Sequence, residues 1–86
     1  MQQANWNGDN LNETVARDIE AAIPDSKVEV TNQGSHFHVI VVSPAFEGKK
    51  LLAKQRMVYD VLGPYMSGPN APIHAVDTLK TLVPDA

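Results

Sequence analysis

The sequence predicts an α+β fold: a two-layer sandwich with helices on one face of a three-stranded mixed sheet. Three observations carry this expectation. An amphipathic stretch of period 3.6 opens the periodic part of the chain, and two β-branched runs split by a glycine-containing turn follow it. A second helical segment then leads to a final β-branched run. The order is α-β-β-α-(short turn)-β. A tight connection makes the first two strands antiparallel, whereas a helical crossover lets the third join parallel to a neighbour.

The first helix is expected over Leu11 to Ile23, with Leu11, Val15, Ile19, Ala22 and Ile23 on its apolar face. Glu13, Arg17, Asp18 and Glu20 take the opposite face, and Asn10 or Asn12 can cap the start. Pro24 ends it, because the proline ring disfavours the helical region for the residue before it. Lys27 to Thr31 alternates as a strand with Val28 and Val30 on one face, and Asn32-Gln33-Gly34 is the expected turn. His36 to Val42 is the next strand. Its parity sets Phe37, Val39 and Val41 toward the helices and His36, His38, Ile40 and Val42 away from them.

Ser43-Pro44 closes that strand, and Phe46-Glu47-Gly48 connects to a helix over about Lys49 to Leu62. Leu51, Val58 and Leu62 should line its inner face, flanked by Leu52 and Tyr59. Gly63-Pro64 should break it, leaving Tyr65-Met66 as a short extra turn. After the loop Ser67 to Pro72, Ile73 to Val83 reads as the last strand, stopped by Pro84.

With 86 residues the chain has room for one domain and one core. Residues 1–10, rich in Gln and Asn, read as a flexible lead in which Trp6 is the one residue suited to docking; residues 11–86 form the domain. The lead has neither the basic start nor the apolar core of a signal peptide. No stretch is apolar enough to span a bilayer, so no membrane partner is expected. Without cysteine there is no disulfide framework, no thiol nucleophile and no cluster ligated by the chain's own thiolates. A reducing, cytoplasmic setting is the default expectation.

Chemistry is sparse. There is no metalloprotease helix motif, no nucleophile elbow and no phosphate loop, since Gly48-Lys49-Lys50 lacks the upstream glycine and the hydroxyl residue. The chain therefore reads as a non-enzyme. Its metal-competent donors are His36, His38 and His74, each of which reads equally as a half-exposed structural histidine. The strongest charge feature is Lys49-Lys50-Leu51-Leu52-Ala53-Lys54-Gln55-Arg56, with four cations and no acid in eight positions of a chain whose net charge is -3. Cations in the first turns of a helix oppose its dipole, which points to an anionic partner surface or to a plain solvated face.

The run Val28-Glu29-Val30, Ser35-His36-Phe37, Val39, Val41-Val42-Ser43 and Phe46-Glu47-Gly48-Lys49 resembles the central signature of the BolA family. The resemblance continues through Arg56-Met57-Val58-Tyr59, Leu62, Ile73-His74-Ala75-Val76 and Lys80-Thr81-Leu82 to Pro84. With Lys54-Gln55-Arg56 where many members read Arg-His-Arg, it resembles the bacterial subgroup with a short loop between the first two strands. It implies a fold similar to a class II KH domain and a non-enzymatic role. That role is partnership with a monothiol glutaredoxin and glutathione, sharing a 2Fe–2S cluster, in iron–sulfur trafficking or in iron and stress sensing. The family's C-terminal ligand histidine falls on His74. Its second ligand has no match in Asn32-Gln33-Gly34, so His36 is the nearest donor and His38 the fallback.

Relative to the family pattern the chain carries one extra residue near Asp77, which a β-bulge would absorb. It also reads to Ala86 without the further C-terminal segment, often Trp-containing, of many relatives. Lys49, Lys50, Lys54 and Arg56 form the expected partner surface. An alternative function is a KH-like, nucleic-acid-binding transcriptional regulator that uses this basic helix on DNA, although no G-x-x-G loop is present. A third is an assembly adaptor that presents Ile40 and Val42. Alone, the chain is expected to be a monomer or a weak homodimer.

Overall fold

The computed structural model describes residues 8–85. The element order is α1 (Gly8–Ala22), β1 (Lys27–Gln33), β2 (His36–Val42), the one-turn 3-10 helix η1 (Pro44–Phe46), α2 (Leu51–Met66) and β3 (Ala75–Leu82). The sheet runs β1-β2-β3 with β2 central. β1 and β2 are antiparallel and β3 joins β2 in parallel, as a helical crossover allows. Trp6 and most of the N-terminal lead lie outside the described residues.

On α1, Leu11, Val15, Ile19 and Ile23 form one buried i, i+4 stripe. Ala22, expected on that stripe, is exposed, and Ala16 packs at its margin instead. Asn10 and Asn12 lie within the span of the helix rather than ahead of it. Asn12 instead donates from Nδ2 to Asn32 Oδ1 at 3.0 Å, tying α1 to β1. After Pro24 the chain turns through Asp25 in the left-handed region (φ 54).

The reversal between β1 and β2 is tighter than Asn32-Gln33-Gly34. Gln33 pairs with His36, leaving Gly34 and Ser35 as a two-residue loop. Gly34 stands first in it with φ 60, the conformation that a type II′ hairpin asks of glycine. β2 has the expected parity: Phe37, Val39 and Val41 are fully buried, while His38, Ile40 and Val42 on the open face are half-buried. Helices cover only the first of these faces, where Val58, Leu62, Phe46 and Ile73 complete a single core.

Two helix expectations fail for tertiary reasons. α2 runs through Gly63 and Pro64 to Met66. Gly63 has no Cβ to clash with the proline ring, and continuing the helix brings Tyr65 and Met66 onto the core. Two carbonyls of the last turn find partners beyond it, with Ser67 Oγ donating to Gly63 O at 2.8 Å and Ile73 N–H to Tyr65 O at 3.1 Å. At the other end, Leu51 and Leu52 are 60% and 63% exposed. Leu51 has the right helical phase, but the first turn overhangs the end of β3, where half-buried Lys54 donates from Nζ to Thr81 O at 3.4 Å.

The last strand is shorter than Ile73 to Val83 and contains the expected bulge. Phe37 pairs with Val76 and His38 with Thr78, so Asp77 is the residue left over. The sequence requires it. Unbroken alternation from Val76 would turn Lys80 inward; skipping one residue turns Leu79 and the buried Thr81 inward instead.

Candidate functional site

His36 opens β2 directly after the Gly34–Ser35 turn, and His74 lies one residue ahead of β3. The Ser35 carbonyl joins them: it accepts the backbone N–H of His74 at 2.9 Å and of Ala75 at 3.2 Å. Two exposed imidazoles, 38 positions apart in sequence (74 minus 36), thus flank one turn. His36 Nδ1 lies 3.1 Å from Asp77 Oδ1 on the bulge, which leaves Nε2 of that ring free. His38, in mid-strand between the Thr31 and Thr78 rungs, is half-buried and further from the turn.

Beside this turn lies an open groove of about 780 Å³. Leu11, Phe37, Tyr65 and Pro72 are among its apolar lining residues, and Ser35 and Asn70 among its polar ones. The hydroxyl of Tyr65 donates to Asp18 Oδ2 on α1. Burial, the accepted hydrogen bond and the negative charge of Asp18 push the Tyr65 pKa up to about 12.

The basic segment is elsewhere. Lys50 is the N-cap of α2 and makes no side-chain cap bond, and no acid occupies the first turn. Lys49, Lys50 and Arg56 are exposed beside Leu51 and Leu52, while Lys54 is partly spent on the Thr81 carbonyl. Because β2 and β3 run parallel, the histidines stand at the start of both strands and the cations near their ends.

The model of the BolA-like protein family matches residues 12–85. The chain belongs to the BolA family. It is 40% identical over 76 residues to human BolA-like protein 2, covering 87% of this chain and 83% of that protein. It is 38% identical over 63 residues to the acid stress protein IbaG of Escherichia coli K12, covering 73% and 71%. The solved structure of a BolA homologue from Coxiella burnetii superposes with a TM-score of 0.68 at 36% identity, over 85% of this chain and 90% of that one.

In this BolA-family chain the turn offers imidazole donors but no complete metal site. Among the described residues no three His, Asp or Glu side chains gather into a complete metal site. The two exposed imidazoles at the turn provide two nitrogen ligands at most, and any thiolate must come from another molecule. In the sequence Asp77 marked only the place of an extra residue and was not among the candidate site residues. Its signal was a carboxylate next to that extra residue, on the strand that follows His74.

Proposed function

We propose that the chain is a non-enzymatic adaptor that lends His74 and His36 to a 2Fe–2S cluster held jointly with a monothiol glutaredoxin and its glutathione. The reading places it in iron–sulfur trafficking or in iron and stress sensing within a reducing cytosol. One observation carries it: the Ser35 carbonyl fastens the His74 backbone beside the turn that carries His36. Such a cluster, when bound, supplies one-electron chemistry and transferable iron and sulfide, at a potential raised by imidazole ligation. The chain's own part is to hold two neutral nitrogen donors at a solvent-facing edge, where a partner bearing the thiolates can approach. Ligation should weaken in acid, since a protonated imidazole cannot bind metal.

The test is anaerobic titration into cluster-loaded monothiol glutaredoxin, followed by visible absorption and circular dichroism. The spectrum should change for the native chain and stay at the glutaredoxin baseline for His74→Ala combined with His36→Ala. An unchanged spectrum with the native chain ends the reading.

A second reading, nucleic-acid regulation, is favoured by the exposed Lys49, Lys50 and Arg56 around an uncapped helix start. Salt-dependent DNA binding lost in Lys49→Glu with Lys50→Glu would support it. No binding at low salt would end it.

A further inference from the structure

Asp77 is the one residue that the β2–β3 ladder leaves over, between the rungs Phe37–Val76 and His38–Thr78. Bulges are rare in parallel pairs, and where they occur they re-aim a side chain. Here the carboxylate reaches back to His36, with Oδ1 at 3.1 Å from Nδ1. An ionised carboxylate can only accept, so a neutral His36 ring bonded in this way carries its proton on Nδ1 and keeps its lone pair on Nε2. No carboxylate among the described residues bonds to the His38 ring, and that ring sits deeper in the sheet.

We infer that Asp77 is a positioning residue that holds His36 as the Nδ1–H tautomer, and so makes His36 rather than His38 the second imidazole donor beside His74. The ligand half of this statement rests on the proposed cluster reading; the tautomer half stands without it. A carboxylate behind an imidazole fixes the ring and strengthens the free nitrogen as a donor. Removing such a partner weakens metal binding by about 10–100-fold. The lower end applies here, because the His36 and Asp77 side chains are 56% and 46% exposed.

Two measurements test it. Long-range ¹⁵N–¹H correlation on the metal-free protein, in mildly alkaline buffer, should find His36 as the Nδ1–H tautomer. Asp77→Ala should move it toward Nε2–H, while Asp77→Asn, whose amide oxygen still accepts, should keep it. A His36 ring that carries its proton on Nε2 in the native chain, or that ignores Asp77→Ala, overturns the inference.

In the glutaredoxin titration Asp77→Ala should bind about tenfold more weakly, and Asp77→Asn close to the native chain. Native-like binding by Asp77→Ala, with His36→Ala impaired, overturns the positioning role and leaves the cluster reading intact. Native-like binding by the His36→Ala, His74→Ala double variant ends the cluster reading, and the ligand half of the inference with it.

Discussion

Ser43 is a small residue on which three elements converge, and Ser43→Ala should be among the most damaging single-atom deletions in the chain. The side chain is fully buried. Its Oγ donates to Pro24 O at 2.7 Å, tying the end of α1 to the end of β2. The same oxygen accepts from Ala45 N–H at 3.0 Å and caps η1. Each bond contributes about 1 kcal/mol net, and leaving the Pro24 carbonyl and the half-buried Ala45 amide without this partner adds at most about 1 kcal/mol more. The expected loss is about 2–3 kcal/mol, a large fraction of the ~5–10 kcal/mol available to a domain of this size. Urea unfolding followed by far-ultraviolet circular dichroism should show a lower midpoint at unchanged slope. Ser67→Ala is the control: it removes a 2.8 Å bond to Gly63 O at an exposed site and should lose at most about 0.5 kcal/mol. If the two variants lose the same amount, burial is not what gives the Ser43 bonds their strength.

Thr81→Val should stabilise the fold by about 1 kcal/mol, since Thr81 is buried and its Oγ1 has no hydrogen-bond partner; thermal unfolding should shift upward by roughly 4–8 °C. The Tyr65–Asp18 bond should show in alkaline unfolding. Because folding raises the Tyr65 pKa from 10.0 to about 12, its contribution is complete below pH 10 and lost as pH rises through 12. Solvent screening holds it under about 1 kcal/mol, and Tyr65→Phe should flatten that part of the curve. Lys49→Glu with Lys50→Glu should leave the spectrum of a glutaredoxin complex unchanged, and His74→Ala should leave any DNA binding unchanged, as gel-shift and dichroism titrations can measure.

What was legible in the sequence was what short-range periodicity encodes. The β2 limits and parity follow from HFHVIVV alone, whereas the bulge was expected only from the extra residue near Asp77 relative to the family pattern. What was hidden depends on partners far along the chain. Asn32 and Gln33 look like turn residues, yet a ladder open to solvent pairs polar residues as readily as apolar ones, so β1 continues to Gln33. Gly63-Pro64 is a local stop signal overridden by the packing of Tyr65 and Met66 onto the core. Leu51 has the correct phase for the core but lies beyond the sheet end, which no periodicity reports. His74 could be picked out by resemblance. Its proximity to the hairpin required the Ser35 carbonyl, and the His36–Asp77 pair required the bulged register.

The placement of the two candidate surfaces bears on how they can work together. β2 is seven residues long, and at ~3.3 Å per residue it separates its His36 end from its Val42 end by about 20 Å. Lys49 and Lys50 follow the far end, and α2 then carries the chain back to Met66 beside the histidine end. At physiological ionic strength the screening length is ~8 Å, so those cations contribute little to the binding of an anion held at His36 and His74. A direct grip by the basic segment on glutathione at the histidine turn is therefore disfavoured. What remains open to the cations is long-range steering of a large acidic partner, or a separate anionic ligand. The exposed Leu51 and Leu52 beside them argue for a surface that desolvates when covered, rather than a purely solvated charge run. Cluster sharing and nucleic-acid binding, if both occur, then use opposite ends of one sheet, and neither has to displace the other.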